Sequence, residues 1–500
     1  MGFSLNKSLK GSLIIDDIRF ALSSHFIIII LVLSTICRIT LHFIVLPNSP
    51  SGLGPDEGTY AALAKYVSEG LPVEEFPGYG PSLYNIARSI ILPSAFLVQL
   101  GMGELSAVRT IATTYGLASS IVLVLCFLAL LELRNQKFQI SGLTFDRKSL
   151  ILLLLFTFLP SNFVWSIMGL RESGSQFWIM TTFYLILKLL GSSGKDSLKF
   201  TVLCSLALTL AHGTRPETAL VFSLVTLLAS IVLLLKLRKF LPTIAILFGI
   251  FGGQAFTTIP QVEVGESLGA FQILKTIPIQ GSTPKSEETL EARKNDAASV
   301  ACTYNDELIQ VEDIKFRCKS YKSYKVTGRN LIKTLKGEIS TTQNFEYKRT
   351  VNAIGAQSAL PANKCEGKSR DIFLLIKCNL SELPYRLFAF LFRPLVFFDQ
   401  GSTALTFAAL ENLGWMILIP ISVWVSLRKQ ENTLERVVNL SLISYVILFA
   451  CASALYEGNL GTAFRHKSTI LWPLVLILMI APRLFQNRKH KLQPSINNKF

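Results

Sequence analysis

Two adjacent carboxylates, Asp56 and Glu57, stand in Gly54-Pro55-Asp56-Glu57-Gly58-Thr59-Tyr60-Ala61, just past the first long apolar run. A carboxylate flanked by turns and partly desolvated at a membrane surface can act as a general base toward a hydroxyl. The same pair would also suit the first turn of a helix, where the macrodipole favours negative charge, and the local sequence leaves both roles open. Four hundred residues later, Gly458-Asn459-Leu460-Gly461-Thr462-Ala463-Phe464 leads into Arg465-His466-Lys467. Three cations beside glycines that admit a close backbone approach suit a phosphate, with snorkelling to lipid headgroups as the plainer alternative. Between these lie Arg171-Glu172-Ser173, His212-Gly-Thr-Arg215-Pro-Glu217 and Arg393-Pro394. Taken singly, Arg171/Glu172 and Arg215/Glu217 read as ion pairs that close short turns. Taken together, and with Tyr60 and Arg109, they are candidates for one pocket.

What must position these residues is a set of membrane helices. Half of the 500 residues are hydrophobic and only 16% are charged, and the mean hydropathy is +0.45, too apolar for a soluble chain of this length. A net charge of +16 would suggest nucleic acid in a soluble protein. Here Lys and Arg cluster in short loops beside apolar runs, so topology explains them and no nucleic-acid partner is expected. Basic clusters around Lys7/Lys10/Arg19, Arg134/Lys137/Arg147/Lys148, Lys188/Lys195/Lys199, Lys236/Arg238/Lys239, Arg428/Lys429/Arg436 and Arg483/Arg488/Lys489/Lys491 mark cytoplasmic loops. An even number of spans must separate each neighbouring pair. About ten helices satisfy that parity, near residues 24-46, 108-132, 149-168, 176-191, 200-212, 218-235, 241-257, 405-427, 437-456 and 469-484. Both termini are then cytoplasmic, the first run is an uncleaved signal anchor, and the residues above all fall at outer helix ends. Ser82 to Leu100 must lie on the outer surface as an interfacial helix, consistent with Arg88 and Pro93 inside it.

The resulting organisation is all-α and polytopic. Residues 1-257 form an amino-terminal transmembrane module with its first outer loop at 47-107, residues 258-382 a polar extracytoplasmic insertion, 383-484 a carboxy-terminal transmembrane module, and 485-500 a basic cytoplasmic tail. Four cysteines, Cys302, Cys318, Cys365 and Cys378, lie in the insertion. In an exported segment they can form two disulfides in any of three connectivities; the absence of CxxC and of histidine there argues against zinc.

The acidic pair with its following Tyr60, the stretch ending in Gly101-Met-Gly-Glu-Leu-Ser-Ala-Val-Arg109, and the recurring outward loops resemble the membrane glycosyltransferases of the GT-C fold. The likeness is to the branch of protein O-mannosyltransferases, aminoarabinose transferases and RgtA/B/C/D-like proteins. It covers the first seven helices. It implies a polyprenyl-phosphate sugar as donor, an acceptor hydroxyl on a lipid, glycan or protein outside the cytoplasm, and Asp56, then Glu57, as the residue that acts as base or positions the acceptor. The Lys-Pro-Pro segment of better-known members is replaced by Gly78-Tyr-Gly-Pro81-Ser-Leu-Tyr84. The expected reaction is an inverting displacement in which Arg465, His466, Lys467 and Arg215 hold the donor phosphate. No cofactor is required by it, although Asp56, Glu57 and Glu172 could take a divalent cation if they converge. The expected location is the plasma (inner) membrane, with lipids as partners. The alternatives are a transporter or flippase of a lipid-linked or anionic substrate, which would carry ionisable groups near the bilayer midplane, and a noncatalytic protein of envelope polysaccharide assembly.

Overall fold

The computed structural model describes residues 14-45, 55-73, 76, 80-133, 147-237, 239-258, 309-311, 314-316, 360, 364-365, 372-395, 399, 403-428 and 433-481. Apart from a short antiparallel ribbon, β1 (Ile309–Val311) with β2 (Ile314–Phe316), the regular structure in these residues is helical. A short helix α1 (Ile14–Ala21) precedes α2 (His25–Thr40), which ends in a π-helical turn, Leu41–Val45. Then come α3 (Pro55–Ser68), α4 (Gly80–Gln99), α5 (Glu104–Leu133), α6 (Arg147–Phe158), α7 (Pro160–Phe163), α8 (Glu172–Gly191), α9 (Lys195–His212), α10 (Pro216–Leu237) and α11 (Leu241–Thr258). The carboxy-terminal half adds α12 (Ile372–Phe392), α13 (Thr403–Leu427), α14 (Thr433–Tyr456), α15 (Leu460–Lys467) and α16 (Leu471–Ile480), the last two joined by a 3-10 turn at Ser468–Ile470.

Among the described residues, six helical stretches are long and apolar enough to cross a membrane: His25–Phe43, Glu104–Leu133, Pro216–Lys236, Thr406–Leu427, Thr433–Tyr456 and Leu460–Ile480; Leu241–Thr257 is a shorter apolar helix. With the large apolar side chains exposed along α2, α10 and α13, this is an integral membrane protein whose outer surface faces lipid. The helix α16 is apolar all round, and every residue from Leu471 to Ile480 is buried. It packs on α5, α6, α13 and α14 and forms the axis of the bundle, as an unpatterned apolar helix must.

The stretch expected as one span at 149-168 is broken instead. Leu159 turns extended (ψ 127) ahead of Pro160, so α6 is only 12 residues long. The broken backbone is satisfied by side chains, one local and two from other helices. Asn162 donates to the Phe156 carbonyl at 2.7 Å, Arg38 to the Thr157 carbonyl at 3.2 Å, and the Ser161 amide to Glu411 at 2.7 Å. Helix α12 runs across the expected boundary between residues 382 and 383, and its first turns are tied to the insertion by a disulfide between Cys365 and Cys378. Cys302 and Cys318 lie outside the described residues.

Two features fix how the ends of the bundle line up. Helices α9 and α11 cross at glycines: a Cβ at Gly249 would stand 2.7 Å from the Leu208 Cβ, and one at Gly253 would stand 2.6 Å from the His212 Cβ. Gly253→Val is therefore expected to cost about 1–3 kcal/mol by overpacking, read as a lower unfolding temperature in detergent; an unchanged transition would mean that this crossing is not close. Helix α4 lies across the ends of its neighbours. It is non-helical at Ala87, and there the Ser89 amide donates to the Gly213 carbonyl at 3.1 Å and Arg88 to the carbonyl of Phe256 at 2.5 Å, the ends of α9 and α11. With α3, α4 covers a second, small core of Tyr60, Leu63, Ala64, Tyr84, Ile91, Val108 and Leu170.

Candidate functional site

The two ends of the bundle differ in chemistry. At one end Lys188, late in α8, pairs with Asp17 of α1 at 3.0 Å and Glu132 of α5 at 3.2 Å, and Lys148 at the start of α6 donates to the Ala481 carbonyl at 2.9 Å. These are basic residues expected in cytoplasmic loops. The opposite end gathers the starts of α5, α8 and α10 with the loop between α14 and α15. Most of the charged residues singled out in the sequence meet there.

At its centre is Glu172, the first residue of α8, buried with its side chain 2% exposed. Its Oε1 lies 3.1 Å from Arg215 and 3.0 Å from Arg465. Arg215 precedes α10 and reaches three ways. It donates to Glu172, to Glu217 at 2.9 Å, and its remaining nitrogen meets the ring of His466. Arg171 lies 3.3 Å from Glu217 and shares that carboxylate with Arg215. His466 in turn meets Glu457 through Nδ1, while its Nε2 lies 3.9 Å from Glu172. Three loops, distant in sequence, thus converge on one network. Its inner members are buried, and its rim consists of Arg171 and Arg465, each 16% exposed, and Glu217, 53% exposed. Near the start of α8 the hydroxyls of Ser173 and Ser175 and the Oε2 of Glu172 are buried without a protein hydrogen-bond partner, a state that in folded proteins calls for a polar ligand or solvent.

Glu457 did not stand out in the sequence. Burial pushes its carboxyl up to about 7, against the pull of Arg215 and Arg465 and with the support of Glu217 and Glu172. One signal was available: a carboxylate at the C-terminal end of an apolar helix opposes the macrodipole, so Glu457 after Tyr456 needs a reason to be there. Its loop also touches the insertion, because the Leu360 amide donates to the Gly458 carbonyl at 3.0 Å.

Other candidates lie elsewhere. Lys467 is fully buried and turns away from the cluster, donating to Asn412 at 2.7 Å and to the carbonyls of Arg393 and Leu391 at 3.1 and 3.3 Å. Arg393 forks onto Asp399, with Nε 3.1 Å from both carboxylate oxygens. Burial works to raise the Asp399 carboxyl, but Arg393 and the Leu395 amide more than offset it and hold Asp399 below its ordinary value. Tyr60 packs in the small core.

Glu57 is wholly buried against Arg109. The guanidinium spans both oxygens at 2.7 and 3.2 Å, and the Gly169 amide donates to Oε1 at 3.0 Å. A carboxylate committed to three donors serves as a clamp between α3, α5 and the loop before α8. Asp56 occupies the first turn of α3, and its side chain lies outside the described residues. The clamp nevertheless places the start of α3 at the same end as the cluster. From Gly169 to Glu172 the chain can extend only about 10–11 Å.

Glu57 and Glu172 sit in separate arginine-bound networks, and among the described residues no group of three metal-ligating side chains converges. Compared with protein-family models, curated proteins and solved structures, the chain matches none.

Proposed function

We propose that this chain is a GT-C-type membrane glycosyltransferase that moves a sugar from a polyprenyl-phosphate donor to an acceptor hydroxyl outside the cytoplasm. In this reading about ten helices cross the plasma membrane, both termini are cytoplasmic, and the cluster end of the bundle faces outward. The observation that carries it is the convergence of Arg171, Arg215, Arg465 and His466 on one bundle end, with two arginines at the rim. A lipid phosphate presents its charge at the level of helix ends, where a planar guanidinium can fork onto two of its oxygens. The buried Ser173 and Ser175 hydroxyls beside that network are further donors for an anion.

The reaction itself asks little covalent chemistry of the protein. The phosphate leaves from the anomeric carbon as the acceptor oxygen attacks from the other face, and Asp56 takes the acceptor's proton. Cations fixed in a low-dielectric pocket stabilise the charge that develops on the phosphate. A transporter reading would draw on charge near the bilayer midplane, whereas this network sits at helix ends.

The test uses the purified full chain in lipid vesicles, given radiolabelled polyprenyl-phosphate hexoses and pentoses with membrane extract as the source of acceptor. Release of polyprenyl phosphate coupled to sugar transfer is expected, and Asp56→Asn should lower it about 10²-fold, the low end for loss of a general base, with unfolding unchanged. No transfer from any donor of the panel would reject the reading, and an unchanged rate in the variant would remove Asp56 from it.

A further inference from the structure

We infer that Glu457 and His466 form a proton-donating pair that protonates the lipid phosphate as it leaves, separate from the base that deprotonates the acceptor. The inference deepens the glycosyl-transfer reading above and rests on it.

A phosphodiester joining sugar and lipid carries one negative charge. When its bond to the anomeric carbon breaks, the bonding electron pair stays on the phosphate oxygen, and the product is a phosphate monoester with a second charge. That second charge is matched by a proton whose pKa is about 6 in ordinary phosphomonoesters, so a donor with a similar pKa can transfer it with little thermodynamic penalty. The balance is complete within the site. The C–O bond to phosphate breaks, the C–O bond to the acceptor forms, the acceptor's proton goes to the base, and the pair's proton goes to the departing oxygen. The protein regains its starting state when one proton leaves the base for water and another returns from water to the pair.

Glu457 has the placement for this role. Its carboxyl directly meets His466 Nδ1, and Arg215, which binds Glu172, meets both nitrogens of the same ring. The side chain of Glu457 is 10% exposed, and that of Arg465, at the rim of the same network, 16%. Among the described residues the charged groups that act on it include His466 and Arg465 from α15, Arg215 and Glu217 at the start of α10, and Glu172 at the start of α8. A purely structural ion pair would keep Glu457 ionised at neutral pH. Burial instead raises it to about 7, so a proton resides on the pair below that pH and is lost above it. A rate that needs this proton falls as pH rises through about 7.

The experiment follows polyprenyl phosphate release by the full chain in vesicles between pH 5.5 and 9, alongside binding of decaprenyl monophosphate and thermal unfolding. Wild type is expected to lose activity with a midpoint near 7 on the alkaline side. Glu457→Gln should run about 10²-fold slower below that midpoint, the lower end for loss of a general acid, and its alkaline limb should vanish. Decaprenyl monophosphate should still bind within about threefold. Glu457→Asp keeps an acid and should retain a displaced limb, so the test survives if the Gln variant does not fold. If Glu457→Gln keeps the wild-type rate, or the limb persists in it, the inference is overturned and glycosyl transfer stands. If wild type transfers from no phosphate-linked sugar, the broader reading fails and takes this one with it.

Discussion

Replacing Arg109 with Met is expected to destabilise the protein by about 3–5 kcal/mol, because it takes the guanidinium from a wholly buried carboxylate, Glu57. Both side chains are 0% exposed, and the guanidinium spans both carboxylate oxygens. No water can replace it without opening the seam between α3 and α5. The pair itself need not contribute much net stability, since removing two charges from water offsets most of their attraction. The discriminating experiment is a double-mutant cycle. Glu57→Gln keeps an oxygen for the Gly169 amide and removes the charge, so Glu57→Gln/Arg109→Met should recover most of what Arg109→Met loses, with a coupling of at least about 1 kcal/mol between the sites. Equilibrium unfolding in detergent measures all four corners. A loss below about 1 kcal/mol in Arg109→Met would mean that the clamp opens to solvent and that α3 is held by its apolar face alone.

How far such a site can be read from sequence differs from residue to residue. Long apolar runs and short basic loops were enough to separate two ends of a helical bundle, and Lys148 and Lys188 do lie at the end opposite Arg171, Arg215 and Arg465. Charge and hydropathy are local properties, and they survive in one dimension. Pairing is not local. Glu57 finds Arg109 52 residues away, and Arg215 finds His466 251 residues away, so the sequence showed both partners without the bond. The triplet Arg465-His466-Lys467 also looked like a single cationic patch. On a helix, successive side chains point about 100° apart, so Arg465 and His466 face Glu172 and Lys467 faces Asn412. The break at Leu159-Pro160 was present as a proline, but apolar residues on both sides concealed it. The groups that satisfy its backbone, Arg38, Asn162 and Glu411, carry no motif.

Replacing Arg215 with Met is expected to lower sugar transfer by about 10³-fold, the upper range for removal of one donor to a developing anion, while the fold persists. The contrast with Arg109 follows from redundancy. Each carboxylate held by Arg215 keeps a second arginine: Arg465 lies 3.0 Å from Glu172 and Arg171 lies 3.3 Å from Glu217. Losing Arg215 therefore strands no buried charge, and because water can replace it at the half-exposed Glu217, the stability cost should stay within about 1.5–3 kcal/mol, the range for one hydrogen bond to a buried charged group. What it does remove is the group joining Glu172, Glu217 and the His466 ring. Without it His466 loses the guanidinium that touches both ring nitrogens and keeps its contact with Glu457. Arg215→Lys restores the charge but not the fork, since an ammonium is a compact point charge that cannot hold three directions in one plane; it should recover less than a tenth of the lost rate. Transfer from polyprenyl-phosphate sugars, with unfolding as the control, decides the matter. A rate in Arg215→Met within about threefold of wild type would show that the network is a structural tie between α8, α10 and α15. A collapse of stability comparable to that of Arg109→Met would show that Arg465 and Arg171 do not share its carboxylates as their distances imply.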